Sequence, residues 1–249
     1  MRSAPRKHRV GHGKRAGAQN AAGMQTESFT LTTALGHRVD AIATTPDDAE
    51  AAYVFAHGAG AGMAHPFMAG VAQGLAERRI ACLRYQFPYM QAGSRRVDAA
   101  PVAQATVRAA VAWAQGRWPG ATLLAGGKSF GGRMSSQAQA AEALPGVAGL
   151  VFLGFPLHPA GRPGTERAAH LAQIALPMLF VRGTRDALAE AGPYAELVAQ
   201  LGGLATHLAI AEADHGFHVL RRSGRSDEEA MEELLDGLWA WTQAWRLPV

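Results

Sequence analysis

The stretch AGGKSFGGRM, Ala125 to Met134, decides how this chain is read. It contains the pattern G-x-S-x-G with Ser129 at its centre, flanked by Gly127 and Gly131. The apolar run TLLAGG (122–127) before it reads as a strand that ends in glycine, and the Ala-rich residues 132–144 after it read as a helix. A serine between a strand and a helix sits on a tight, strained turn that lifts its hydroxyl clear of the sheet edge. Gly127 and Gly131 leave room where a Cβ would collide with neighbouring backbone. The helix starting near Gly132 turns the positive end of its dipole toward the serine. The five-residue pattern is weak evidence alone, and its place between strand and helix is what gives it weight.

A serine hydroxyl needs a base, and the base needs an acid to orient it. Downstream, the strand PMLFVRG is followed by Thr184-Arg185-Asp186, and the strand THLAIAE by Ala213-Asp214-His215-Gly216-Phe217. Asp186 and His215 thus fall in loops after strands, in the order serine, acid, histidine. His215 is expected to take the Ser129 proton and return it to the leaving group, with Asp186 fixing the imidazole tautomer. His218 and His207 are alternative bases, and Glu212 and Asp214 alternative acids; His207 falls inside a strand. The Gly-rich segment HGAGAGMAHP (57–66) follows an earlier strand. Backbone N–H groups of Phe130 and Ala59 are therefore the candidates for an oxyanion hole.

Working outward, SFTLTT and RVDAIAT read as an opening antiparallel pair. AAYVFAHG, IACLRY, TLLAGG, GLVFLGF, PMLFVRG and ATHLAIAE read as strands, separated by helical patterns over 67–79, 98–117 and 132–144. A C-terminal helix over about 227–245 carries Leu234, Leu238, Trp241 and Trp245 on one stripe, so its tryptophans read as a core face. Buried strands alternating with helices imply an α/β fold with a mostly parallel sheet covered on both faces. The chemistry of such a sheet lies beyond the carboxyl ends of its strands.

Composition narrows the reading further. The 249 residues carry 24 Lys and Arg against 20 Asp and Glu, a net charge of +4. Residues 1–23 hold six of the basic side chains and no acidic one, leaving 18 against 20 in the rest, about −2. The positive charge belongs to this arm, which is too poor in large apolar residues to fold and is expected to be disordered. Residues 24–249 are expected to form one domain. The arm is the only candidate for nucleic-acid contact, and no such partner is expected. The single cysteine, Cys82, excludes an intramolecular disulfide and reads as a small buried hydrophobe. There is no P-loop, no dinucleotide fingerprint and no ligand cluster with zinc spacing, so neither a metal nor a cofactor is expected. No apolar stretch approaches the ~18 residues of a membrane span, and no secretory signal is visible; a cytoplasmic location is expected.

Together these residues resemble the α/β-hydrolase superfamily, and within it the KANL/TEX-type branch, whose bacterial members are described as dienelactone-hydrolase-like. The segments that carry the resemblance are HGAGAGMAHPFM (57–68), CLRYQFPYM (82–90), GGKSFGGRMSS (126–136), LGFPLHP (153–159), LPMLFVRGTRD (176–186) and ADHGF (213–217). FPYM and GFPLHP are more specific than the serine motif. The resemblance implies an eight-stranded sheet with Ser129 as nucleophile, Asp186 as acid and His215 as base. Dienelactone hydrolases use a cysteine where Ser129 stands, so that activity is not carried over.

Only about 20 residues separate GLVFLGF from PMLFVRG, too few for a lid domain. Phe87 and Tyr89, with His158 from that connection, are the expected substrate-binding residues. Arg84, Arg95 and Arg96 read as solvated loop residues. The expected function is a serine hydrolase cleaving a small ester or thioester through an acyl-enzyme intermediate. The alternative is a non-catalytic hydrolase-fold scaffold or binding protein, a role some eukaryotic members of the branch play.

Overall fold

The computed structural model describes residues 16–20 and 23–244. Two antiparallel strands open the body, β2 (Met24–Thr32) and β3 (Arg38–Pro46). β4 (Ala51–Ala56), β5 (Ile80–Tyr85), β6 (Thr122–Lys128), β7 (Val147–Leu153), β8 (Met178–Gly183) and β9 (Ala205–Ile210) follow. They stand in the order β2-β3-β5-β4-β6-β7-β8-β9, with every pairing from β5 to β9 parallel. This is the expected eight-stranded, mostly parallel sheet.

A ninth strand, β1 (Ala16–Asn20), pairs antiparallel with β2 at its free edge. It lies inside the segment expected to be disordered, which corrects that expectation for these five residues. Edge pairing uses backbone N–H and C=O groups, so a segment without large apolar side chains can still add a strand. Residues 1–15, 21 and 22, and Trp245 with the chain end, lie outside the described residues.

β4, β5 and β8 are buried along their whole length, as strands covered on both faces must be. After the single turn of α2 (Pro88–Gln91), α3 (Ala100–Arg117), α4 (Phe130–Ala141) and α5 (Ala191–Leu201) cover one face through Val107, Val111, Met134 and Tyr194. α1 (Pro66–Glu77) and α6 (Asp227–Ala244) cover the other through Val71, Leu75, Leu234, Leu238 and Trp241. Trp241 is therefore a core residue, while Trp239 faces outward. Cys82 is fully buried on β5, and burial pushes its thiol up to about 12. The connection from β7 to β8 holds one 3-10 helix, Glu166–Gln173, and no inserted domain. Among the described residues no helix is long and apolar enough to cross a membrane.

One contact sets where α4 leaves the sheet. A Cβ on Gly127 or on Gly131 would lie 2.4 Å from the Ala56 carbonyl oxygen of β4, inside any real contact distance. Gly116, near the end of α3, has nothing within 4 Å of the same position. Gly131→Ala is expected to destabilise the fold by ~2–4 kcal/mol in urea denaturation. Gly116→Ala should leave it unchanged or more stable by up to ~1 kcal/mol.

Candidate active site

Ser129 stands at the turn from β6 into α4 with φ 49° and ψ −110°. A positive φ costs a residue with a Cβ roughly 1–3 kcal/mol, so the surrounding packing must hold it there. Its amide donates to the Leu153 carbonyl at the end of β7 (3.1 Å), which ties the turn to the next strand.

The loops after β8 and β9 bring two side chains to this serine. Ser129 Oγ lies 3.0 Å from His215 Nε2, and His215 Nδ1 lies 2.8 Å from Asp186 Oδ2. A carboxylate only accepts, so Nδ1 carries the proton and Nε2 is free to accept from the serine hydroxyl. The Asp186 side chain is fully buried, while His215 keeps 28% of its side-chain exposure. Burial pushes the Asp186 carboxyl up, but the His215 hydrogen bond and charge, the Leu188 N–H and Lys128 outweigh it and hold it below its usual range. Asp186 Oδ1 is taken by the Leu188 amide at 2.8 Å, which fixes the carboxylate plane.

The competing residues are engaged elsewhere. His218 pairs with Asp227 at the surface (2.8 Å). Asp214 Oδ1 accepts the Gly216 and His218 amides (2.7 and 3.0 Å), folding the loop that carries His215. His207 lies within β9 against Tyr194. A second Ser–His pair exists, Ser136 Oγ and His170 Nε2 at 2.8 Å. Ser136 donates its hydroxyl proton to the Arg133 carbonyl (2.9 Å), so it accepts from His170 rather than yielding a proton to it. Burial and the Arg133 charge lower His170 to about 4, and among the described residues no carboxylate is bonded to it. That pair cannot stabilise an imidazolium and is structural.

Phe130 is the first residue of α4, where the helix offers its amide no acceptor. Ala59 lies in the loop after β4. The Gly58 carbonyl is held by His57 Nδ1 (2.7 Å) and approached by the Tyr89 hydroxyl (3.3 Å). Peptide planarity then turns the Ala59 N–H the opposite way, away from His57 and Tyr89. His57 is fully buried, and burial lowers it to about 4, so it is neutral. Its Nε2 accepts the Phe87 amide (3.0 Å), which leaves the Nδ1 proton for Gly58.

A cleft of about 720 Å³ opens beside Ser129, Lys128 and His215. Its walls come from Phe67 and Met68 of α1, Phe217 of the His215 loop and Met231 of α6. The Phe67 and Phe217 rings stack 5.6 Å apart at 9°. Asp227, Glu228 and Glu232 of α6 also line it.

The three residues expected to bind substrate are not on this wall. Phe87 is fully buried between His57, Tyr85 and Phe130. Tyr89 is 3% exposed and its hydroxyl donates to the Ala59 carbonyl (3.0 Å), so it braces the loop. His158 is 1% exposed, bonded to Glu190 (2.7 Å) and to the Pro159 carbonyl. Each sits in a loop, but the Phe87 ring packs into the core, and the polar atoms of Tyr89 and His158 turn to backbone carbonyls and a partner side chain. Arg84, expected in solvent, is 7% exposed and donates to the Met63 carbonyl (3.0 Å). Lys128 and the cleft-lining residues of α1 and α6 are additions to the expected set. Lys128 was visible inside the serine motif as its variable residue. Helical periodicity marks Met68 and Met231 as apolar but does not say which gap they face. Among the described residues no group of three His, Cys, Asp or Glu could hold a metal ion.

Known proteins agree with this architecture. The fold matches that of an α/β serine hydrolase homologue from Coxiella burnetii, with TM-score 0.69, 22% identity, and 85% of this chain and 97% of that one covered. It matches a dienelactone hydrolase from Anabaena variabilis with TM-score 0.69, 17% identity and coverage of 89% and 98%. A lidless α/β serine hydrolase from Xanthomonas campestris gives TM-score 0.66, 21% identity and coverage of 87% and 94%. Identities this low speak to the fold alone. The sequence model of the alpha/beta hydrolase domain matches residues 49–243, and the chain belongs to that family.

Proposed function

We propose that this chain is a serine hydrolase that cleaves a small, uncharged ester or thioester through an acyl-enzyme. The observation that carries the reading is the unbroken hydrogen-bond chain Ser129–His215–Asp186, drawn from three separate loops and opening into an apolar cleft. Ser129 Oγ attacks the substrate carbonyl carbon as its proton passes to His215 Nε2. The carbonyl oxygen becomes an oxyanion that accepts from the Phe130 and Ala59 amides. Collapse breaks the bond to the alcohol or thiol, which leaves with the proton from His215. Water then attacks the acyl-serine, gives its proton to His215, and the acid departs as Ser129 recovers its hydroxyl. Asp186 stays ionised throughout and stabilises the imidazolium at each step.

Phe87 and Tyr89 support this reading from behind, since they hold His57 and the Gly58–Ala59 peptide. Both belong to the FPYM segment, so membership of the KANL/TEX-type branch is part of the same proposal. A fluorophosphonate probe should label the wild-type protein and Ser136→Ala at similar rates, and should not label Ser129→Ala. Labelling of Ser129→Ala would remove the nucleophile from this scheme. Asp186→Asn should lower kcat by ~10³–10⁴-fold.

The cleft also sets an expectation for substrates. Its walls include Phe and Met, carboxylates of α6 line it as well, and the Lys128 ammonium is engaged by the His215 carbonyl (2.6 Å). Neutral p-nitrophenyl esters of four to eight carbons should therefore exceed a hemisuccinate ester in kcat/KM by ~10-fold or more. A preference for the anionic ester in a steady-state panel would contradict this.

A further inference from the structure

Lys128 is the residue immediately before Ser129, and its side chain, half-buried at the cleft, is turned onto the protein. Its Nζ donates to the main-chain carbonyl of His215 at 2.6 Å and lies 5.4 Å from the centre of the Phe217 ring. Gly154, just past β7, makes room for it: a Cβ there would stand 3.0 Å from Lys128 Nζ and 3.4 Å from His215 Nδ1 and Cε1. Three strand ends, those of β6, β7 and β9, thus meet around one ammonium group. The charged and titratable groups that face it are Asp186 from the loop after β8 and Asp214 and His215 from the loop after β9.

We propose that Lys128 is a positioning residue of the hydrolytic site, clamping the His215 loop to the serine strand so that Nε2 stays on Oγ. The proposal rests on the serine-hydrolase reading above. The His215 loop is also held by the turn that Asp214 caps, by the Arg185 amide on the Ala213 carbonyl and by Asp227 on the Val219 amide, but none of these ties it to β6. The Lys128 bond makes that tie directly, next to the nucleophile. A charged donor to a carbonyl is about twice as strong as a neutral one.

The clamp has a pH signature. Burial lowers Lys128 to about 8, partly offset by Asp186 and Asp214. As pH rises through about 8 the ammonium becomes an amine and the clamp weakens, so kcat should fall on this limb while KM holds. Stability moves the other way: an ordinary lysine value of 10.5 in the unfolded chain means that raising the pH between the two values favours the fold. A loss of kcat there is therefore separable from unfolding.

The test measures p-nitrophenyl butyrate hydrolysis and fluorophosphonate labelling from pH 6 to 10, with thermal unfolding alongside, for wild type, Lys128→Met and Lys128→Arg. Lys128→Met is expected to lower kcat by ~10–100-fold with KM within about twofold, as a misplacement near 1 Å does, and to lose the alkaline limb. Lys128→Arg keeps donor and charge, so it should recover part of kcat and carry the limb beyond pH 10. Wild-type kcat in Lys128→Met, or a limb near pH 8 that persists in it, would overturn the clamp. A raised KM with unchanged kcat would also overturn it, by making Lys128 a substrate contact. A wild-type protein that the probe does not label would overturn the hydrolase reading and this proposal with it.

Discussion

The structure turns on the contact between the Ala56 carbonyl and two positions that carry no side chain, Gly127 and Gly131. A main-chain oxygen cannot be moved aside as a side chain can, so β4, β6 and α4 meet at a fixed distance. That distance puts Ser129 on its turn at φ 49° and starts α4 one residue later, with the Phe130 amide beside the serine. It also brings the loop after β4 against the turn, since a Cβ on Gly58 would lie 3.8 Å from Ser129 Cβ and 3.7 Å from the Lys128 carbonyl. The candidate nucleophile and both candidate oxyanion donors thus follow from one backbone approach.

The remaining site loops lie past the strand ends, where no ladder supplies partners for their carbonyls. Cationic side chains supply them, those of Arg84 and Arg182 buried and that of Lys128 partly exposed. Arg84 of β5 donates to the Met63 carbonyl, Lys128 of β6 to His215, and Arg182 of β8 to Gly183 and Ala189 on either side of Asp186. A buried charge is costly unless hydrogen-bonded, and main-chain carbonyls are what these loops have to offer. The fit is incomplete, as the buried Nε atoms of Arg84 and Arg182 lack a partner. Arg182 also lies over the Tyr194 ring, 5.4 Å from its centre, which offsets part of that cost. Each loop is fastened to a strand by a charge whose own solvation the fastening replaces.

This explains which parts of the site were legible in the sequence. Ser129, Asp186 and His215 fall in loops that follow strand patterns, so position along the chain nominated them as candidates while leaving His218, Glu212 and Asp214 open beside them. Their hydrogen-bond chain needs only that the strand ends share one edge, which a parallel sheet guarantees. Phe87, Tyr89 and His158 also lie in loops at that edge, but whether a loop side chain faces the cleft or the core depends on which backbone groups need partners. For Tyr89 those are the carbonyls of Gly58 and Ala59, about thirty residues upstream, and no local pattern carries that information. The cleft wall was hidden for a similar reason. Phe67, Met68 and Met231 come from two helices whose packing against each other is a long-range result. β1 escaped because edge pairing is a backbone property that composition does not report.

With no inserted domain between β7 and β8, the cleft is walled by residues of α1 and α6, and α6 cannot choose its charges freely. Its start is a capping box, with the Ser226 amide bonded to Glu229 Oε2 and the Glu229 amide bonded to Ser226 Oγ. Asp227, Glu228 and Glu229 fill the first turn, where the free amides and the helix dipole favour negative charge. Asp227 also accepts the Val219 amide (2.8 Å), which fastens the helix start to the loop that carries His215. Asp227 and Glu228 are the same residues that face the cleft. The acidity of the cleft rim is therefore a consequence of how α6 is started and anchored. Any change made there to admit an anionic substrate would remove charges that hold the helix, and through Val219 the His215 loop, in place.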